Sequence, residues 1–242
     1  MTRLFASAAN GQMPSLEVVC LGDDHMGNFG SNVGGLNTPE TQQADNDFAV
    51  GKLIEAVAHS SRYADNTLVI AIEDDSQDGP DHVDSHRSPA FVAGPYVKQG
   101  AVVSSFYTLV SALRTIEDIL GTEHMNLNTA NARPMTDVFD IHRSPKWTFD
   151  AVASTALQGT GVQDTLTNLG VKYAKGPVVK PTHDAAYWAE VTRGFEFAGE
   201  DRVPPALFNA VLWKGLKGNN PYPALRSSSR AVAVADGVRS DD

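Results

Sequence analysis

An α/β fold with a mostly parallel sheet is the class this sequence predicts, on three observations. Apolar runs at Leu16–Gly22 and Thr67–Ile72 read as short buried strands, and a segment with helical spacing, residues 40–60, lies between them. Strand, helix and strand in that order make a βαβ unit, which calls for parallel pairing. A polar or acid-rich loop leaves the carboxyl end of each strand, the edge where such sheets hold ligands.

The first strand is Leu16-Glu17-Val18-Val19-Cys20-Leu21-Gly22, nearly continuous in apolar character, and its neighbours imply a buried Cys20 thiol. The Gly- and Asn-rich loop from Asp23 to Pro39 follows. Thr38 is then a suitable N-cap with Pro39 at the first helical position, and Ala44, Phe48, Leu53, Ile54 and Val57 recur at helical spacing. Ala90-Phe91-Val92-Ala93-Gly94 reads as a third, shorter strand. Residues 107–120 read as an amphipathic helix with Leu109, Val110, Leu113, Ile116 and Ile119 on its apolar face and Gly121 as the C-terminal cap. Two short helices are expected at residues 184–195 and 204–216. The division that results is a lead over residues 1–15, a core over 16–140, an extension with short helices over 141–226, and a frayed tail over 227–242.

The 242 residues carry 19 Lys and Arg against 29 Asp and Glu, a formal charge of −10, which argues against a nucleic-acid backbone as partner. A single cysteine excludes an intrachain disulfide framework and a cysteine-rich zinc site. No apolar run has the length of a membrane span, and the first nine residues turn polar too soon for a signal peptide.

Chemistry concentrates in Glu73-Asp74-Asp75-Ser76-Gln77-Asp78-Gly79-Pro80-Asp81-His82-Val83-Asp84-Ser85-His86-Arg87. Carboxylates at that density repel one another unless solvent or a cation neutralises them, and mixed Asp and His donors suit zinc, manganese or iron. Asp24-His25 at the end of the first strand adds a compact second pair. In a parallel sheet both loops open on one edge, so Asp24, His25, Asp74 and Asp75, with His82 or His86, form one candidate metal site. Each part has a plainer reading: Asp24-His25 as a solvated turn, Asp74-Asp75 as surface charge, and Asp78 and Asp81 as turn residues around Gly79-Pro80. Asp74-x-Ser76-x-Asp78-Gly79 also matches the opening of a helix-loop-helix calcium loop, but Ser85 stands where that loop needs a bidentate Glu, and a strand rather than a helix enters it. His59, His124 and His142 stand apart from the acidic clusters as surface or capping residues, and His183 precedes a helix as a cap. Phosphate-loop and serine-esterase signatures are absent.

Taken together, Leu21-Gly22-Asp23-Asp24-His25-Met26-Gly27, Asn37-Thr38-Pro39-Glu40 with Ala44-Asp45-Asn46-Asp47, the 73–87 run, Ser88-Pro89, Gly94-Pro95-Tyr96, residues 113–121 and Leu212-Trp213-Lys214-Gly215 resemble the phosphoesterase family of the alkaline phosphatase superfamily. That group includes acid phosphatases and phospholipases C. The resemblance implies an alkaline-phosphatase-like α/β/α sandwich and hydrolysis of phosphate esters with one or more divalent ions. It implies Asp24 with His25 and Asp74 with Asp75 as ligand pairs, His82 or His86 closing the site, and Asp23, Asp78, Asp81 and Arg87 beside the ligands or the substrate. The family's nucleophilic Ser or Thr would precede Leu16, and neither Ser7 nor Ser15 follows a strand or opens a helix. The chain thus resembles the C-terminal half of such an enzyme, one that would associate with the missing N-terminal half. Members are often exported. The rival expectations are a non-catalytic cation-binding remnant and a calcium-stabilised interaction module.

Overall fold

The computed structural model describes residues 10–22, 26–30, 32–73, 88–199 and 202–222. Helix α1 spans Pro39–Ala58 and begins where its local chemistry dictates. The Thr38 hydroxyl accepts from the Thr41 amide, Thr41 returns the bond to the Thr38 amide, and Pro39 occupies a position whose N–H would have no partner. Strands β1 (Val69–Ile72) and β2 (Ala90–Ala93) follow, then α2 (Leu109–Leu120), α3 (Leu127–Asn131), α4 (Gln163–Asn168), α5 (Ala185–Val191) and α6 (Pro205–Lys217).

β1 and β2 pair antiparallel, Val69 opposite Ala93 and Ile72 opposite Ala90, in the one sheet among the described residues. The parallel relation was expected between residues 16–22 and 67–72, a different pair from these two strands. The segment from 73 to 89 returns the chain beside its own start, so the two strands form a hairpin rather than a crossover. The strand expected at residues 16–22 also differs: the segment has no regular structure, with Val18 88% exposed. Cys20, expected to be buried, is exposed with it. Apolar character alone does not make a strand; a paired neighbour is needed to satisfy its backbone.

Three apolar clusters stand in place of one continuous core. Leu36, Ala44 and Phe48 meet Ala153, Ala156, Leu157 and Leu166, so residues 151–173 cover the middle of α1. Phe29 packs with Trp188, Val203, Phe208 and Leu212, and Met26, Phe195 and Phe197 lie against this cluster. Ala112, Met135 and Val138 form the third, under Val92 and Tyr107. The segment expected as a C-terminal extension therefore supplies most of the packing for α1 and for residues 26–36.

Helix α2 ends as expected, with Gly121 in the left-handed conformation (φ 68°) that residues with a Cβ seldom adopt. Its buried face is a different one from the apolar face read in the sequence. Ser111, Ala112, Thr115 and Glu117 are buried, whereas Leu109 and Ile119 are 46% and 55% exposed. Thr115 draws that side inward: its hydroxyl donates to the Ser111 carbonyl and accepts from the Met135 amide. α5 falls within its expected range and α6 ends one residue beyond its own, and Asp184 rather than His183 caps α5, accepting from the Tyr187 amide at 2.9 Å.

Candidate metal centre

The residues expected to bind a cation, Asp24, His25, Asp74, Asp75, His82 and His86, and those expected beside them, Asp23, Asp78, Asp81 and Arg87, lie outside the described residues. The structure does describe the elements that bear the ends of both segments. β1 delivers the chain at Ile72 and Glu73, and β2 receives it at Ala90, directly opposite Ile72 in the ladder. The acid-rich run is thus held at both ends by paired backbone.

Residues 26–37, which follow the Asp24-His25 pair, are tied to α1 by the Gln42 carboxamide and to one another by that of Asn32. Gln42, 4% exposed, accepts from the Gly27 amide at 3.1 Å through Oε1. Its Nε2 donates to the carbonyls of Gly27 (2.8 Å) and Leu36 (3.1 Å). The Asn32 Nδ2 donates to the same two carbonyls at 3.1 and 3.0 Å, and the Asn32 amide donates to Asn37 Oδ1. Each buried backbone group so paired avoids a desolvation cost. Gly27 has no room for a side chain, since a Cβ there would approach the Phe197 ring to 2.5 Å. Asn28 adopts a left-handed conformation (φ 50°), which Asn tolerates better than most residues with a Cβ.

Sequence reasoning missed Gln42 and Asn32. A Gln between Thr41 and Ala44 on the buried side of a helix was the signal, because a buried carboxamide must find partners. Glu40 is a further case. Its Oε1 accepts from the Thr182 amide at 2.8 Å, and its Oε2 is buried without a partner among the described residues.

Three further histidines make local contacts. His59 Nε2 meets Asp150 Oδ1 at 2.9 Å, His124 Nδ1 meets Glu117 Oε2 at 2.9 Å, and His183 stacks on Tyr187 with ring centres 3.7 Å apart. Among the described residues, no group of three or more His, Cys, Asp or Glu side chains could hold a metal ion. Ser15 lies exposed at a bend, with no general base bonded to it among the described residues. An open cavity of about 660 Å³, lined in part by Ala58, His59, Lys146 and Trp147, lies at the C-terminal end of α1, far from residues 26–37.

Among the described residues two carboxylates have lowered pKa values, and both serve as loop clamps. Glu117 accepts from the Met125 amide, the largest effect, and from His124. Asp137 accepts from the hydroxyls of Ser105 and Tyr107, with Arg133 nearby. Burial, and then the bond to Asp137, raise the Tyr107 phenol. Asp137 fixes the chain between β2 and α2, and the Asp140 amide adds a bond to the Tyr96 carbonyl at 2.7 Å.

Among the described residues no helix is long and apolar enough to cross a membrane. No family model, curated protein or solved structure matches the chain.

Proposed function

We propose that this chain is a metal-dependent phosphoesterase domain, of the phosphatase or phospholipase-C-like kind, that binds its ion between residues 24–25 and 74–86. The observation that carries the reading is the placement of the acid-rich run. It begins at the carboxyl end of β1, and the described residues that flank it meet at the Ile72–Ala90 pair. The donor chemistry fits a divalent ion. Asp24, Asp74 and Asp75 supply hard oxygens, and His25, His82 and His86 supply imidazoles, a mixture suited to zinc, manganese or iron.

When bound, such an ion neutralises the phosphate and activates an attacking oxygen. The chain's own residues position it: Gln42 and Asn32 hold the loop that follows Asp24 and His25, and the β1–β2 ladder holds both ends of the run that contains Asp74, Asp75 and the two histidines. Arg87 and the neighbouring carboxylates Asp23, Asp78 and Asp81 are available to orient ligands or to meet the ester.

The test is elemental analysis of the purified chain together with turnover of an aryl phosphate before and after chelation. Stoichiometric metal and chelator-sensitive turnover are expected, with Asp74→Ala losing both while keeping its circular dichroism. Unchanged turnover in that variant refutes the reading. The exposed Ser15 favours a second reading, a cation-binding domain without a nucleophile, for which the same measurement returns bound metal and no turnover. A calcium-stabilised module would instead keep its ion in His25→Ala and His82→Ala, because calcium takes oxygen donors.

A further inference from the structure

We propose that the apolar ridge of α2 is a contact between two copies of this chain, in which the two α2 helices pair antiparallel about a two-fold axis. The contact is independent of the cation site and involves none of its residues.

Helix α2 carries six large aliphatic side chains, Leu109, Val110, Leu113, Ile116, Ile119 and Leu120. At about 3.6 residues per turn all six fall on one half of the helix. Leu109, Leu113, Ile116 and Leu120 are four, three and four residues apart, the spacing of a seam between helices. The chain covers a different side. Ser111, Ala112, Thr115 and Glu117 are buried, whereas Leu109, Ile119 and Leu120 are 46%, 55% and 37% exposed and the other three are half-buried. Among the described residues, none of the six joins the three apolar clusters. An apolar ridge left in water is unfavourable, and on a folded chain it marks an interaction surface.

The order of the residues selects a second copy as the partner. Read from either end, α2 has these side chains at its first, second, fifth, eighth, eleventh and twelfth positions. A two-fold interface needs a surface complementary to itself, a demand that an unrelated partner would not make. Laid antiparallel, Leu109 meets the partner's Leu120, Val110 meets the partner's Ile119, and Leu113 meets the partner's Ile116, so every layer is aliphatic on both sides. That arrangement also sets opposite ends of the two helix dipoles together, where a parallel one would set like ends together. The charges beside the ridge are satisfied within each chain, Arg114 by Asp118 at 2.9 Å and Glu117 by the Met125 amide and His124, so none is desolvated unpaired. A helix of 12 residues is only about 18 Å long, and a contact of that size gives a reversible dimer rather than an obligate one.

Sedimentation of the full chain from about 1 to about 100 µM reads the mass, and amide exchange of the peptide covering 109–120 reads the surface. A reversible rise from the 25.9 kDa of one chain toward twice that mass is expected, with exchange of the peptide slowing about threefold or more across the range. Leu109→Glu with Leu120→Glu sets like charges opposite each other and is expected to weaken the dimer about tenfold or more. Leu109→Lys with Leu120→Glu sets opposite charges together in the antiparallel register alone, and is expected to stay within about threefold of the parent. Leu169→Glu, at a 73% exposed site just after α4, leaves association unchanged. The exchange measurement uses the parent chain and holds even where a variant fails to fold.

A chain that stays at 25.9 kDa throughout the range overturns the contact. Association that Leu169→Glu weakens equally, or that passes beyond the dimer without protecting 109–120, is non-specific and overturns it as well. Protection of 109–120 that does not depend on concentration assigns the ridge to the chain's own segments, again overturning a contact between copies. Loss of the dimer in both double variants overturns the antiparallel register.

Discussion

Gln42 makes three hydrogen bonds to the backbone of a loop that otherwise has little regular structure to hold it. Replacing it with Ala leaves Gly27 N–H without its partner and weakens the hold on two carbonyls, an expected loss of about 1–3 kcal/mol in urea unfolding. A midpoint unchanged from the parent chain would show that Asn32 alone suffices. Glu117 gives a pH-dependent counterpart. Its folded pKa lies below the unfolded value, so its contribution is fully present above the usual carboxylate range, about 4.3, and is lost as pH falls through the lower folded value. The stability gap between the parent and Glu117→Gln should therefore be wide near about pH 6 and should narrow as pH falls below about 4.3 and on through the lower folded value, read from urea midpoints. A gap independent of pH would contradict this. Residues whose partners lie within four positions were legible in the sequence, as the caps at Thr38 and Gly121 show. Gln42 was not, because its partner Gly27 sits fifteen positions back across an irregular loop.

At the scale of elements, α1, α2, α5 and α6 were legible, helped at α1 by Pro39 after its Thr38 cap and at α2 by Gly121 after its last turn, whereas the cap of α5 was expected at His183 and falls to Asp184. The side that α2 buries was not. Apolar spacing marked Leu109 and Ile119, but two hydroxyl-bearing residues, Ser111 and Thr115, are buried instead, their hydroxyls accepting from the Thr108 and Met135 amides. Helix α6 gives a sharper test of packing against propensity. Gly215 sits inside it, and helix propensity alone favours Ala by about 1 kcal/mol. A Cβ there, however, would reach the Trp188 ring at 2.3 Å, and that ring is wholly buried among Phe29, Phe208 and Leu212. Overpacking of this kind costs about 1–3 kcal/mol and wins, so Gly215→Ala is expected to lower the melting temperature. A rise would mean that the ring can move aside.

At the scale of the whole molecule, the expected boundary near residue 140 divides segments that pack on one another. Residues 151–173 and 188–212 complete the two clusters that hold α1 and residues 26–36, so the loop after Asp24-His25 is supported by chain far downstream. Long-range packing of that kind leaves little trace in local periodicity. The acidic run was the reverse case: its composition is plain in the sequence, while its setting, a connection within an antiparallel hairpin, depends on the partner that β1 chose.

That hairpin bears on how the protein can change over time. Because Ile72 and Ala90 are partners, the chain between them begins and ends at one place, and the entropy of closing it grows only logarithmically with length; doubling it costs about 0.6 kcal/mol. Residues can be added, removed or exchanged there with little effect on the three packed clusters. The acid-rich segment is thus a part of the molecule open to new chemistry, because the fold that carries it constrains its composition little.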